Sequence, residues 1–195
     1  MGFTLVDASN ESKAIDILAD AFSDDPVMNW SCNNPDSLHP FFEITLEPFT
    51  SHGLTYLAPG DSGAAAWLGP GEKLQWSFSL SNVKKVMQLG GFKGVYRMLR
   101  SGMTTEKHHP EAPHYYLFAI GATSQHRGKG IGSALIRHVL KRCDQEGMPA
   151  YLENSKEENL PFYQGHGFEV MKKVHFAKNA PPVWLMWREP NSQGS

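Results

Sequence analysis

The segment with the clearest chemical potential is a basic, glycine-rich turn in the second half of the chain. It contains Gly128, Gly130 and Gly132, together with Arg127 and Lys129. Glycines let an anion approach the backbone because they have no Cβ. A helix that begins at such a turn has unpartnered N–H groups in its first turn, at the positive end of its dipole. The two basic side chains add further positive charge. The turn therefore predicts a binding site for a pyrophosphate.

The residues on either side predict the elements that would position this turn. Tyr115–Ile120 consists of six apolar or aromatic residues, the length and composition of a buried strand. After the turn, apolar residues recur at helical spacing while polar residues fill the other face. The apolar set is Ile131, Leu135, Ile136, Val139, Leu140 and Cys143. The alternative is a glycine turn that only joins a strand to a helix.

The spacing of the glycines excludes two other phosphate-binding loops. A Walker loop needs Gly-Lys-Ser/Thr, but Lys129 is followed by Gly130. A dinucleotide loop that starts at Gly128 needs a glycine at position 133, which is Ser133. The stretch instead resembles the acetyl-CoA-binding motif of the GNAT acetyltransferase superfamily, Gln/Arg-x-x-Gly-x-Gly/Ala. Gln125, Gly128 and Gly130 occupy its defining positions.

This resemblance implies that acetyl-CoA is the co-substrate. In that family the turn and the helix N-terminus hold the CoA pyrophosphate, and the preceding strand pairs with the pantetheine arm. The residues implied to contact acetyl-CoA here are Ile120, Gly121, Ala122, Gln125, Arg127, Gly128, Lys129, Gly130, Ile131, Gly132 and Ser133. No metal is expected, because His108 and His109 have no HExxH motif or carboxylate cluster near them. We expect both to be solvated loop histidines.

A second motif of the same family lies nearer the C-terminus. It is matched by Asn159, Phe162, Tyr163, Gly167 and Phe168. The resemblance implies that this segment flanks the thioester, that Asn159 and Phe162 help to bind the co-substrate, and that Tyr163 is the general acid. The alternative for Tyr163 is a core aromatic of a helix that packs on the sheet.

Acetyl transfer to an amine requires groups of this kind. The departing CoA thiolate has a solution pKa of about 8.5, so a tyrosine hydroxyl can donate to the sulfur as charge develops. A backbone N–H near Ile120 to Ala122 would donate to the carbonyl oxygen. The attacking ammonium must lose a proton, and Glu153, at the end of a predicted strand, is the candidate base. A surface or capping role for Glu153 is equally open.

Several stretches resemble one branch of the superfamily more closely, the puromycin N-acetyltransferases. These stretches are Gly128–Ala134, Leu152–Ser155, Asn159–Tyr163 and Gly167–Phe168. The resemblance covers Tyr115–Arg188 well, and the first part of the chain only through the order of its elements. The residues that would bind the acceptor lie in that first part, so puromycin itself is one candidate among many amines.

The rest of the chain predicts the elements of the same fold. We expect a strand at Phe3–Val6, a helix at about Asn10–Phe22, a loop or broken helix at Val27–Pro40, a helix at Pro40–Ser51 that Pro48 kinks or ends, strands at Leu54–Ala58 and Ala64–Leu68, and two short helices broken at Gly90–Gly91. The resemblance implies an α/β (α+β) GNAT fold. It has a mixed, mostly antiparallel, splayed sheet of about six to seven strands, with helices on both faces.

Composition and charge narrow the classes of partner. The 195 residues fit a single domain at 1–195, with an acceptor-side half at 1–113 and a co-substrate-binding and catalytic half at 114–190. A formal charge of −2 gives no argument for nucleic acid or an anionic membrane. Neither a membrane-spanning run nor a signal peptide is evident. Cys32 and Cys143 form no CxxC pair, so reduced thiols in a cytoplasmic protein are expected.

The sequence therefore predicts transfer of an acetyl group from acetyl-CoA to a primary amine of a small molecule, by direct attack in a ternary complex. Two alternatives stay open, a non-catalytic acyl-CoA-binding sensor and a protein or peptide N-acetyltransferase. The aromatic residues Trp76, Phe78, Phe92 and Tyr96 could line an acceptor pocket or pack amphipathic helices. Trp184 and Trp187 could serve the core or the interface of a homodimer.

Overall fold

In this computed structural model the described residues are 2–32, 35–51, 54–72, 85 and 91–191. The strands are β1 (Thr4–Leu5), β2 (Thr55–Leu57), β3 (Gly63–Leu68), β4 (Tyr115–Ala122), β5 (Ala150–Asn154), β6 (Glu169–His175) and β7 (Pro182–Arg188). The α-helices are α1 (Glu11–Ala21), α2 (Pro26–Cys32), α3 (Leu38–Thr45), α4 (Glu47–Ser51), α5 (Gly91–His108), α6 (Ile131–Glu146) and α7 (Leu160–Gln164). Short 3₁₀ helices lie at Pro35–Ser37, Pro59–Asp61, Ser124–His126 and Glu157–Asn159.

The strands form one sheet in the order β1-β2-β3-β4-β5-β7-β6. Every neighbouring pair is antiparallel except β4 and β5, which run parallel. These two strands pair only at the start, and their last paired residues are Leu117 and Leu152. Beyond that point β3 still follows β4 to Ala122, and β7 follows β5 to Asn154. The sheet therefore splits into two halves, and a cleft opens between β4 and β5.

Helices cover both faces of the sheet, so β4 and β5 are buried on two sides. One apolar core contains Leu18, Phe42 and Tyr116, and it joins α1, α3 and α4 to the sheet. The other core contains Tyr115 and Leu135 and joins α6 and α7 to the opposite face. Successive side chains of a strand alternate between the faces. Two-sided burial explains why β4 is a near-continuous apolar run.

The predicted α/β GNAT fold with a splayed, mostly antiparallel sheet is confirmed. The stripe predicted for α6 is also confirmed, because Leu135, Ile136, Val139, Leu140 and Cys143 are all buried. Burial of a Leu or Ile side chain stabilises the fold by about 1.5–3 kcal/mol. The stripe therefore makes a large contribution to the free energy of folding.

One predicted helix is divided in two. The segment Pro40–Ser51 was expected to be one helix that Pro48 kinks or ends, but α3 ends at Thr45 and α4 begins at Glu47. Pro48 lies in the first turn of α4, where its missing N–H leaves no hydrogen bond unmade. The Val27–Pro40 stretch is a broken helix, with α2 at its start and a 3₁₀ turn before α3.

The aromatic residues considered for the acceptor pocket or a dimer interface lie in different environments. Trp76, Phe78 and the predicted helix before Gly90 lie outside the described residues. Phe92 and Tyr96 are 82% and 61% exposed on α5 and do not line the cleft. Trp184 is 6% exposed within the core, whereas Trp187 is partly buried against the core and donates its indole N–H to Glu189 at 2.7 Å. Trp184 therefore serves the core, and a homodimer stays a prediction.

Candidate active site

The cleft between β4 and β5 brings together residues from four parts of the chain. It has an empty volume of about 490 Å³, including the space open to solvent. Its lining comes from the end of α1 and the loop that follows it, from β4, from β5 and the loop after it, and from α7. The lining residues are Ala21, Phe22, Asp25, Leu117, Phe118, Ala119, Ile120, Leu152, Glu153, Asn154, Ser155, Lys156, Asn159 and Tyr163. The two predicted catalytic residues, Glu153 and Tyr163, are both in this set.

The glycine turn lies at the end of β4 and leads directly into α6. Gly128 and Gly130 have φ angles of 75° and 77°, which disfavour residues with a Cβ. The first hydrogen bond that closes the helix joins the Ala134 N–H to the Gly130 carbonyl at 3.0 Å. The N–H groups of residues 131–133 therefore precede the helical ladder. A Cβ added at Gly128 or Gly130 would meet no atom within 4 Å, so an anion has room to approach.

Contacts to the end of α1 fix this turn. The Ser124 N–H donates to Asp20 at 2.6 Å. Arg127 forms an ion pair with Asp24 at 3.1 Å and donates to the Ala21 carbonyl at 3.1 Å. Gly121 lies against the same helix, because a Cβ there would come within 2.2 Å of the Ala21 Cβ. The Arg127 guanidinium is thus engaged within the protein.

The other residues predicted to bind acetyl-CoA lie in the turn, at the start of α6 and at the end of β4. Gln125 and Lys129 are exposed, whereas Ile131, Gly132 and Ser133 are partly buried. Gly121 and Ala122 pair with β3 on one edge of β4, and no described strand pairs with the other edge beyond Leu117. Ile120 lines the cleft on that unpaired stretch. An extended polar chain could pair with the backbone there.

Tyr163 reaches the cleft from the short helix α7, with Pro161 in the first turn of that helix. Its side chain is 9% exposed and packs in the same core as Leu152. Burial raises the pKa of the Tyr163 hydroxyl, and the nearby Asp25 carboxylate raises it further. The hydroxyl is therefore protonated at neutral pH and can act as a donor. Phe162 packs close to Gly132, which links α7 to the first turn of α6.

Glu153 lies on β5 and reaches the cleft from the opposite face. Its neighbours Leu152 and Tyr151 belong to the two different cores, and alternation along the strand places Glu153 with Tyr151. One carboxylate oxygen, Oε2, accepts a hydrogen bond from the Tyr116 hydroxyl at 2.6 Å. The other, Oε1, is buried and has no well-aligned hydrogen-bond partner among the described residues, although the Tyr151 hydroxyl, also buried without such a partner, interacts with the same carboxylate. Such an oxygen is available to a proton or to a ligand donor.

Two aspartates after α1, which no local sequence pattern places near the cleft, connect its two walls. Asp24 bonds Lys156 on the loop after β5 and Arg127 on the loop after β4. Lys156 and then Arg127 lower the pKa of Asp24, despite some burial. Asp25 accepts the N–H groups of Val27 and Met28, both at 2.9 Å, and a hydrogen bond from Ser155.

Only one contact of the two aspartates can be recognised in the sequence, the capping of α2 by Asp25. Asp25 precedes α2 and accepts its first N–H groups, which is the usual role of an N-cap aspartate. Burial raises the pKa of Asp25, although its hydrogen bonds act in the opposite direction. The partners on the loop after β5 lie more than a hundred residues away in the chain. No local pattern indicates such a contact.

The prediction that His108 and His109 are solvated loop residues is wrong for His108, whereas His109 does lie in a loop but is partly buried rather than fully solvated. His108 is the last residue of α5, and its Nδ1 donates to the Thr104 carbonyl at 2.9 Å. His109 packs against the rings of Tyr116 and Tyr151, and its Nδ1 lies 3.8 Å from Glu153 Oε1. The chain turns back after α5 and carries His109 over β4 and β5. Composition and spacing do not encode this turn.

Two features of other functional classes, a metal-binding cluster and a membrane-spanning helix, are absent from the described residues. No group of three or more His, Cys, Asp or Glu side chains in this part of the chain could hold a metal ion. Likewise, none of the described helices is both long and apolar enough to cross a membrane.

Comparisons with known proteins agree with this geometry. Residues 94–168 match the sequence model of the acetyltransferase (GNAT) family. An uncharacterized N-acetyltransferase of Schizosaccharomyces pombe is 28% identical over 208 aligned positions, which cover 96% of this chain and 83% of the relative.

Solved structures share the fold at low sequence identity. A Corynebacterium glutamicum acetyltransferase related to histone acetyltransferase HPA2 superposes with a TM-score of 0.69 at 22% identity, over 99% of this chain and 98% of the other. Arylalkylamine N-acetyltransferase 2 of Aedes aegypti gives 0.67 at 16% identity, over 97% and 99%. The ribosomal-protein-S18-alanine N-acetyltransferase of Escherichia coli gives 0.56 at 14% identity, over 100% and 96%. These structures share the fold of this chain, and the segment 94–168 is similar to the acetyltransferase (GNAT) family.

Proposed function

We propose that this chain is a single-domain, cytoplasmic enzyme that transfers an acetyl group from acetyl-CoA to a primary amine of a small molecule. The main observation in support is that Glu153 and Tyr163 reach one cleft from opposite faces of the sheet, beside a helix N-terminus with room for a pyrophosphate. A base and an acid on two sides of a reacting carbonyl are what direct attack by an amine requires.

The residues present fit acetyl-CoA. Its pyrophosphate would be held by the N–H groups at the start of α6 and by the Gln125–Ser133 turn, with Lys129 exposed beside it. Its pantetheine arm would pair with the open edge of β4 near Ile120 to Ala122, and Asn159 and Phe162 would contact it from the α7 side. Arg127 would position the turn through Asp24 rather than act as a mobile cation. Acetyl-CoA supplies an activated thioester carbonyl.

The roles of the cleft residues follow from their environments. Glu153, with its unpartnered Oε1, takes a proton from the incoming ammonium and so frees the nitrogen lone pair. A backbone N–H of β4 near Ile120 to Ala122 donates to the carbonyl oxygen as it becomes negative. Tyr163 donates its proton to the departing sulfur. A pure acyl-CoA sensor would need neither a base nor an acid at these positions.

The structural neighbours divide between two classes of acceptor, small amines and a protein N-terminus. Neighbours in structure include an arylalkylamine N-acetyltransferase, an agmatine N-acetyltransferase and a polyamine N-acetyltransferase. These favour a small amine. A ribosomal-protein-S18-alanine N-acetyltransferase is also among them, so a peptide N-terminus is the second candidate. The puromycin branch adds puromycin to the amines that should be tried.

The test is thiol release from acetyl-CoA with a panel of small amines, puromycin and short peptides. The proposal expects release that depends on one class of acceptor and falls by about 10²- to 10⁴-fold in Tyr163→Phe. Tyr96→Phe is the matched control, because Tyr96 is exposed on α5 and away from the cleft. Release that Tyr163→Phe leaves intact would exclude Tyr163 as the acid. If no acceptor in the panel causes thiol release, while acetyl-CoA still raises the melting temperature, the non-catalytic sensor is favoured.

A further inference from the structure

The hydrogen bonds around two histidines fix where their protons lie. His114 Nδ1 is 2.6 Å from the Ala112 carbonyl oxygen, which can only accept, so this nitrogen must carry a hydrogen. Burial lowers the pKa of His114, so the ring is neutral near pH 7 and its Nε2 has a lone pair. His109 Nε2 lies 3.1 Å from that atom. The donor of this bond must therefore be the Nε2–H of His109.

This assignment determines what His109 presents to the proposed base. With its hydrogen on Nε2, a neutral His109 has a bare lone pair on Nδ1, and that atom faces Glu153 Oε1 at 3.8 Å. An ionised carboxylate oxygen also has only lone pairs to offer. The two atoms can be bonded, directly after a small side-chain shift or through one water, only when a proton lies between them. The arrangement therefore has a place for one proton between the two atoms.

The other groups packed around His109 are poor carriers of a proton, and His109 is more exposed than Glu153. Tyr116 already donates to the other oxygen of Glu153, and the pKa values of Tyr116 and Tyr151 are raised by burial and by Glu153. Neither phenol therefore takes up or releases a proton near neutral pH. His114 is locked by the Ala112 carbonyl. The His109 side chain is 33% exposed, whereas that of Glu153 is 12% exposed.

We infer that His109 is a positioning residue that accepts the proton taken up by Glu153 and passes it to solvent, with His114 holding the required tautomer. This inference rests on the proposed function. In each turnover the ammonium loses one proton to Glu153, the C–N bond forms and the C–S bond breaks. The second nitrogen-bound proton replaces the one that Tyr163 gives to sulfur. One net proton must therefore leave the cleft. It passes from Glu153 to His109 Nδ1, and the same nitrogen releases it to water, because Nε2 stays bonded to His114.

The first test does not depend on activity. Nitrogen-15 spectra of the histidine rings should show hydrogen on Nδ1 of His114 and on Nε2 of neutral His109. Glu153→Gln should change the nitrogen-15 chemical shift of His109 Nδ1 and leave the ring shifts of His108 unchanged, because His108 bonds only to its own helix. Hydrogen on Nδ1 of neutral His109, or His109 ring shifts that do not respond to Glu153→Gln, would overturn the inference.

The second test follows the proton during turnover. His109→Ala should lower kcat by about 10- to 100-fold, less than loss of the base itself, while KM for both substrates stays within about twofold. 1,2-Dimethylimidazole, which has no N–H to acetylate, should restore the rate in proportion to its concentration. His108→Ala should show neither the loss nor the rescue. His109→Gln, which keeps a donor towards His114, gives the same comparison if the alanine variant unfolds.

The failures of the two proposals are distinguishable. A wild-type rate in His109→Ala, or a loss that the added base does not restore, would overturn the relay while acetyl transfer by the wild type stands. Absence of transfer in the wild type would count against the proposed function, and the ring spectra would then decide whether His109 and Glu153 share a proton.

Discussion

Two tyrosine–glutamate pairs begin at adjacent residues of β4 and lie on opposite faces of the sheet. Tyr115 donates to Glu146 at 2.5 Å, and Tyr116 donates to Glu153 at 2.6 Å. In both pairs burial raises the pKa of the tyrosine, and the carboxylate raises it further. Judged by the hydrogen bond alone, the two pairs are equivalent.

They differ in what surrounds the second carboxylate oxygen. Glu146 Oε1 accepts from the Arg142 guanidinium at 2.8 Å, and its side chain is 40% exposed. Glu153 Oε1 is buried without a hydrogen-bond partner, and the nearest group able to become a cation is His109. A permanent cation completes the first pair, whereas the second keeps an acceptor for a proton. The unfilled oxygen in the cleft, rather than the Tyr–Glu hydrogen bond, therefore marks the candidate base.

The largest effect should come from replacing each glutamate by its amide. Glu153→Gln removes the proposed base and should lower kcat/KM by about 10²- to 10⁴-fold. Glu146→Gln makes the same chemical change on the opposite face and should leave kcat/KM within about threefold, because Glu146 lies outside the cleft. Steady-state kinetics on both variants measures the contrast. Equal losses would mean that Glu153 contributes only to the fold.

A smaller effect should follow loss of each tyrosine hydroxyl. Tyr116→Phe removes the hydrogen bond to Glu153 Oε2 that holds the proposed base in place. Such a bond contributes about 1.5–3 kcal/mol, so kcat/KM should fall by about 10- to 100-fold. Tyr115→Phe should leave kcat/KM within about threefold. Steady-state kinetics with one amine tests this, and a larger loss in the Tyr115 variant would reverse the assignment.

The smallest effect concerns stability. Tyr115 and then Arg142 lower the pKa of Glu146. A depressed carboxylate pKa stabilises the fold above its unfolded value of about 4.5 and ceases to do so as pH falls through the folded value. Because this pair is largely exposed, Glu146→Gln should cost no more than about 1 kcal/mol at pH 7.

Urea unfolding at neutral pH and at about pH 3 checks the sign of this effect. The difference in unfolding free energy between the wild type and Glu146→Gln should be smaller at the lower pH, because the carboxylate becomes protonated first in the unfolded and then in the folded state. A difference that is undiminished at the lower pH would show that the pair stabilises the protein by packing rather than by charge.

The sequence predicted the parts of the site that local pattern determines. The glycine turn at 125–133 needs residues that tolerate positive φ at Gly128 and Gly130, and α6 needs an apolar stripe; both requirements are visible over a few residues. The fold class was predictable for the same reason, since its elements occur in a recognisable order. The roles of Glu153 and Tyr163 stay predictions, although both residues line the cleft.

The remaining contacts depend on how distant elements meet. Tyr115 and Tyr116 are indistinguishable by type, and only the register with β5 decides which of them reaches Glu153. Asp24 and His109 were missed because their partners come from other elements of the fold. The break between α3 and α4 was misplaced for a local reason, because a proline is compatible with either the end of one helix or the first turn of the next.

The most direct measurement is the fate of a carbon-13-labelled acetyl group, followed by mass spectrometry of the acceptor after incubation with labelled acetyl-CoA. The label should appear on the amine nitrogen with the wild type, Glu146→Gln and Tyr96→Phe, and should be nearly absent with Glu153→Gln and Tyr163→Phe. Label found only in free acetate, or equal labelling by all five proteins, would contradict acetyl transfer catalysed by the cleft between β4 and β5.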